Sequence, residues 1–278
     1  MAGFEDRPRA TALIAAFEGW NDAGDAATAV IDILGEEWGA EPIAEIDPQD
    51  YYDFQVNRPV VERDEEGNRQ LLWPGTIVSA GTMPSGRRVL LVRGLEPSFR
   101  WKDFADEILA IAGEEGVRDV YALGALLADV PHTRALPLST TSSAPHVRRR
   151  LGLRESDYEG PTGIVGVLDA MAAEAGFESV SLWVSVPHYI SDPPSPKATL
   201  TLIRELAALL DEPIAAEGLT DDAQEWEDGV SELARENPDV AGYVEQLEKT
   251  RDTAESAEAT GEAIAREFER YLRRRDNS

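Results

Sequence analysis

The chain has 278 residues, 42% of them hydrophobic, and 53 acidic side chains face 26 basic ones for a formal net charge of -27. That length supports one large domain, or a domain with an appendage, around a substantial core, while the acidity opposes nucleic acid and anionic lipid as partners. With no cysteine, disulfide scaffolds, thiolate metal sites and cysteine nucleophiles are excluded, and three histidines do not suggest a multi-histidine zinc site. The first nine residues are charged and lead into no signal-peptide core, and nowhere do 18 apolar residues run together. The expectation is a soluble, cytoplasmic protein with neither membrane nor nucleic-acid partner.

Residues Thr11 to Phe17 form a short apolar run, the pattern of a strand buried on both faces. A tight segment from Glu18 to Gly24 interrupts it, Asp22 suits a helix N-cap, and Ala26, Ala27, Val30, Ile31, Leu34 and Trp38 recur at helical spacing. A second strand is expected at Pro42 to Ile46. Residues Tyr51 to Trp73 read as a hairpin insertion, with two arms flanking the turn-rich Asp64 to Asn68. So small a hairpin cannot bury its own apolar side, so it packs on the body or on another subunit; the second is favoured.

Strands follow at Thr76 to Ala80 and Arg88 to Val92, with Gly86 in the turn between them. Trp101, Phe104, Ala105, Ile108 and Ala112 mark a helix, Val120 to Leu127 a long strand, Gly163 to Ala175 a helix and Val180 to Val186 a further strand. Ser195 and Pro196 open a helix with cap and N1 proline in order, striped by Leu200, Ile203, Leu206, Ala207 and Leu210. Strands alternating with helices predict an α/β chain with a mostly parallel sheet and helices on both faces. After Asp211 the composition shifts: residues 212–278 hold 19 acidic and 8 basic residues and no strand pattern. Trp226, Val230 and Leu233 mark one helix there. A second begins at Pro238 and carries an apolar stripe from Val240 to Tyr271, then Arg273, Arg274 and Arg275, whose charge complements a helix C-terminus. The division is an α/β body over 1–211 and a helical segment over 212–278.

In parallel sheets ligands gather beyond the carboxyl ends of strands. Four unusual segments fall at such ends: Glu18 to Gly24, Arg93 to Pro97, Asp129 to Thr133, and Pro187 to Tyr189; Glu159 to Gly163 leads into a helix beside them. Converging on one rim, they offer Gly19, Trp20, Asn21, Asp22, Glu96, His132, Gly160, Thr162, His188 and Tyr189 as ligand-binding candidates. Gly19 and Gly24 have phosphate-loop spacing, but Asp25 and Ala26 stand where lysine and a hydroxyl residue are required, so a P-loop is rejected. A carboxylate metal site from Glu18, Asp22 and Asp25 is outweighed by helix capping and dipole complementarity, and no metal or cofactor is assigned. The loop before Gly163 could offer amides to an anion or simply turn the chain. No G-x-S-x-G elbow and no G-x-G-x-x-G fingerprint occurs. No catalytic residue is assigned; an enzymatic alternative would draw on His132 or His188 with Glu18, Asp22 or Glu96.

Gly19-Trp-Asn-Asp-Ala-Gly24, Gly94-Leu-Glu-Pro97, Gly124 through His132, Tyr158 through Gly163, Val186-Pro-His-Tyr189 and Pro193 through Ala198 together resemble the proteasome assembly chaperone 2 family, most nearly its actinobacterial branch. The likeness runs in order over nearly the whole body. It implies a three-layer α/β/α core like that of phosphorylases, a homotrimer joined through a β-hairpin insertion, and a C-terminal helical segment that lids a ligand pocket. The 51–73 hairpin and the residues after about 212 match those two additions. The expected function is a non-enzymatic, oligomeric binding or assembly-chaperone-like protein with an unidentified protein partner. The alternative is a phosphorylase- or hydrolase-type enzyme acting on a small molecule. Fold likeness to phosphorylases does not by itself assign a reaction.

Overall fold

The structure, a computed structural model, describes residues 11–253 except 65, 157 and 191. Its centre is β1 (Thr11–Glu18), which is apolar on both sides because both sides are covered. Ala12, Ile14 and Ala16 face α1 (Ala26–Glu37) and α5 (Pro196–Leu210), whereas Leu13, Ala15 and Phe17 face α2 (Trp101–Glu114) and α4 (Ile164–Glu174). The period-two alternation of a strand thus serves two helical layers, the three-layer arrangement expected.

The seven-stranded sheet adds β2 (Glu41–Ile46), β5 (Thr76–Thr82), β6 (Arg88–Leu95), β7 (Val117–Ala128), β8 (Leu138–Thr141) and β9 (Glu178–Pro187) in the order β2-β5-β6-β1-β7-β9-β8. The β6-β1-β7-β9 centre is parallel, β5 and β8 run against it on either side, and the edge strand β2 pairs antiparallel with β5. β8 and the short α3 (Pro145–Leu151) were not anticipated. The four residues of β8 are Leu-Ser-Thr-Thr, with no hydrophobic run, and its pairing with β9 makes it a strand.

The hairpin of β3 (Val60–Arg63) and β4 (Arg69–Leu72) forms a separate two-stranded sheet, and its turn is closed by Asp64, which accepts from Asn68 N at 2.8 Å. All eight strand residues are exposed. The start of the 51–73 segment belongs to the body instead. Tyr51 and Tyr52 are buried in the α2–α4 side of the core, and the Tyr52 hydroxyl meets Thr76 Oγ1 at 2.8 Å.

Helix α6 (Glu217–Glu236) packs on α5. Its buried residues include Ala223, Val230 and Ala234, while Leu233, expected on the buried stripe, is exposed. Residues 238–253 are helical and bury Val244 and Leu247. The expected continuation of that stripe from Ala254 to Tyr271, and the arginines after it, lie outside the described residues. Among the described residues no helix is long and apolar enough to cross a membrane.

Candidate functional site

The loop after β1 runs back along β7: Ala125 N donates to the Asn21 carbonyl at 2.7 Å, and Asp22 bridges to Ala125. Asp22 is buried beneath α1, where its carboxylate accepts from Ala27 N at 2.6 Å, from Thr28 N and from the Thr28 hydroxyl. It therefore satisfies amides that the first turn of α1 leaves unpaired. Burial pushes its pKa up, and these hydrogen bonds oppose that shift. Asp25 adopts a left-handed conformation at the helix start and is exposed.

Glu96, just beyond β6, ties three segments together. Its Oε1 accepts from Asn21 Nδ2 at 2.7 Å and from Ile164 N, the first residue of α4, at 2.9 Å. The negative charge sits where the dipole of α4 favours it. A carboxylate of the chain itself thus takes an amide that the sequence left open to an external anion. Gly163 permits the approach, because a Cβ there would lie 1.9 Å from Asn21 Oδ1 and 2.8 Å from Glu96 Oε1. Glu18 turns elsewhere, pairing with Arg93 at 2.7 Å, and Arg93 also meets Asp32.

Beside this junction lies a cavity of about 790 Å³. Gly19 and Trp20 form one wall, with Leu126 and Leu127 from the end of β7 beside them. The far wall is the edge of the sheet, where Ser139 and Thr141 of β8 stand next to Ser181 and Trp183 of β9. The 156–163 loop, through Tyr158 and Thr162, and α4, through Gly166 and Asp169, close the remaining side. The alternation along β9 explains this lining. Val180, Leu182, Val184 and Val186 enter the α1–α5 core, while Ser179, Ser181 and Trp183 point to the α4 layer. Gly124, the register partner of Trp183 on β7, makes room for its indole; a Cβ there would lie 2.7 Å from the ring.

His132 and His188 gather on the other side of the sheet, under the C-terminal helices, whereas His146 is exposed on α3. His132 is buried (1% exposed); its Nδ1 meets the Tyr189 hydroxyl at 2.8 Å and its Nε2 meets Ser231 Oγ of α6 at 3.0 Å. Burial lowers its pKa, with Lys197 adding to the effect and Glu227 and Glu248 opposing it; burial also pushes Tyr189 up to about 12. His188, more exposed, places Nδ1 3.1 Å from Asp129 Oδ1, and the Tyr243 hydroxyl donates to the same oxygen at 3.1 Å. Edge-to-face contacts of the His188, Tyr189 and Tyr243 rings complete the cluster. Around it Thr133 donates to Glu248, Lys197 pairs with Glu227, and Arg134 pairs with Asp252.

The expected single rim is therefore two places. Gly19, Trp20 and Thr162 line the cavity; Asn21 and Glu96 brace its edge, and Gly160 sits beneath Tyr158. His132, His188 and Tyr189 lie apart: among the described residues none that lines the cavity comes from beyond Trp183, and the described part of the C-terminal helices covers the histidine cluster. The five residues of the enzymatic alternative occupy separate networks: Asp22 and Glu96 serve helix starts, Glu18 an ion pair, His132 a sealed contact and His188 a surface pair. Ser139, Thr141, Ser181 and Trp183 were missed, although the serine–aliphatic alternation of Ser179 to Val186 carried the signal. Among the described residues no group of three or more acidic, histidine or cysteine side chains is placed to hold a metal ion.

The model of the PAC2 family matches residues 16–234, well over half of the chain. The chain belongs to the PAC2 family. A PAC2 family protein from Streptomyces avermitilis is 50% identical, with 84% of this chain and 99% of that one covered and a TM-score of 0.80. A proteasome-assembly chaperone homologue of Mycobacterium tuberculosis is 45% identical, with 84% and 99% covered and a TM-score of 0.77. Pyrococcus furiosus PbaA, an archaeal homologue of proteasome-assembly chaperone, is 18% identical over 86% and 94% of the two chains at a TM-score of 0.58, a likeness of fold. No curated protein sequence matches. In this PAC2 protein residues of the Gly19–Gly24 and Tyr158–Gly163 loops line the cavity beside the Glu96 junction, and His132 and Tyr189 meet the C-terminal helices.

Proposed function

We propose that this PAC2 protein is a non-enzymatic, assembly-chaperone-like binding protein of the cytoplasm, working as a homotrimer and carrying a small-molecule pocket in the cavity beside Trp20. The observation that carries the reading is 45% identity, over 99% of its length, to a proteasome-assembly chaperone homologue. The trimer reading rests on the hairpin. Val60, Val61, Leu71, Leu72 and Trp73 are 42–54% exposed on a two-stranded sheet that stands clear of the core, a surface suited to a second copy. The pocket reading is supported by the cavity's size, within the range of about 300–1,000 Å³ usual for ligand sites, and by its mixture of aromatic and hydroxyl side chains. The test is reconstitution. Purified protein mixed with separately expressed proteasome α and β subunits should form a complex visible by native mass spectrometry and change the rate of ring assembly. Failure to bind either subunit at micromolar concentration, with assembly unchanged, would overturn the chaperone reading.

A further inference from the structure

The chemistry of the cavity lining narrows what it can hold. Among the described residues that line it there is no lysine, arginine or histidine, and no asparagine or glutamine. A phosphate or carboxylate would enter without a cation to meet it, inside a chain of net charge -27. A nucleobase would meet no side-chain amide to read its edge. Among the described lining residues the one carboxylate, Asp169, is already committed: it accepts from Ser143 N at 3.1 Å and from the Ser143 and Ser179 hydroxyls, and is 6% exposed. It is not presented to a cationic ligand.

What the cavity does present is hydroxyls and rings. Ser181, 3% exposed, has an Oγ with no hydrogen-bond partner among the described residues. Leaving a buried hydroxyl unpaired is unfavourable, and a molecule with hydroxyls of its own supplies both a donor and an acceptor. Trp183 is seated on Gly124. Tyr158 is held over Gly160 by donating to the Pro161 carbonyl at 2.8 Å. Trp20, two-thirds exposed, flanks them. Fixed aromatic faces beside free hydroxyls complement a sugar ring, which has apolar C–H faces and a hydroxyl rim.

We infer that this cavity binds a neutral saccharide, its ring against the aromatic side chains and its hydroxyls on Ser181 and the neighbouring Ser139 and Thr141. This rests on the pocket reading above and adds the ligand class. The full chain is titrated with maltose, cellobiose, lactose and chitobiose, and in parallel with glucose 6-phosphate and adenosine, by calorimetry and intrinsic tryptophan fluorescence. Saturable binding of at least one neutral saccharide is expected, weakened tenfold or more by Ser181→Ala and by Trp20→Ala. Both variants should keep the parent melting temperature, since one removes an unpaired hydroxyl and the other an exposed ring. Binding of glucose 6-phosphate or adenosine without the neutral sugars overturns the saccharide class and leaves the pocket reading standing. Saccharide binding that survives both substitutions places the site elsewhere and also overturns the inference. No binding of any probe removes the inference and the pocket reading together, while the chaperone reading stands on its own reconstitution.

Discussion

Glu96 offers the sharpest test of how the cavity edge is built. Its Oε1 serves both Asn21 Nδ2 and Ile164 N, so Glu96→Ala takes the partner from the first amide of α4 and from a fully buried side chain. Loss of an N-cap acceptor costs about 0.5–2 kcal/mol. Stranding a buried donor costs about 1–3 kcal/mol, and together they make a loss of roughly 2–4 kcal/mol. At about 2–4 °C per kcal/mol for a chain of this class, the melting temperature should fall by roughly 4–16 °C. Glu96→Gln keeps an acceptor oxygen and gives up only the charge at the helix N-terminus, worth about 0.3–1 kcal/mol. Urea titrations followed by far-ultraviolet circular dichroism, compared at constant m, separate the two variants. If Glu96→Ala and Glu96→Gln agree within about 0.5 kcal/mol, the two hydrogen bonds are not what holds the junction, and the reasoning fails.

Gly163→Ala should open the same junction from the other side, since its methyl would overlap Asn21 Oδ1; a destabilisation of about 2–4 kcal/mol is expected in the same titration, and an unchanged midpoint would contradict it. Burial depresses the pKa of His132, so its contribution to stability is complete above the unfolded value of 6.5 and is lost as pH falls from there through the folded value; Glu227, Glu248 and Lys197 face it. His132→Gln should flatten the stability profile below that pH, and a parallel profile would show that another group titrates. Replacing residues 58–72 with a short Gly-Ser linker keeps Tyr51 and Tyr52 in the core and should leave a folded monomer by light scattering; a persisting trimer refutes the hairpin's role. Arg134→Ala should cost no more than about 1 kcal/mol, because its ion pairs are partly solvated. Val230→Asp, which puts a charge on the buried face of α6, should release the C-terminal helices to limited proteolysis, and resistance equal to the parent would argue against apolar docking.

Much of the fold was legible because its signals are local. The apolar run at β1, the helix stripe of α1 and the proline-led start of α5 each follow from periodicity and capping over a few residues. β8 was not legible, because Leu138–Thr141 becomes a strand only by pairing with β9, and nothing in four residues announces a partner across some 40 positions. Leu233 misled for a related reason: apolar character gave the helix, but its buried face carries Ala223, Val230 and Ala234. At the site, the sequence pointed to the loops beyond the strand ends. It could not say on which side of the sheet each loop turns, and that decides whether a histidine meets Glu96 or Tyr189.

The same distinction changes the meaning of the acidity. Some of it is internal structure: Asp22 and Glu96 serve helix starts, and Asp169 gathers two serines behind the cavity wall. Another part joins the C-terminal helices to the body, through Glu227 on Lys197 and Glu248 and Asp252 on Arg134. Partly exposed pairs of this kind contribute about 0–1 kcal/mol each, so they set register while Val230, Ala234, Val244 and Leu247 supply the adhesion. Among the described residues that line the cavity the one carboxylate, Asp169, is taken by its neighbours. A strongly acidic protein thus keeps the described lining of this cavity rich in hydroxyls and rings, because the carboxylate that reaches it is held by its own neighbours.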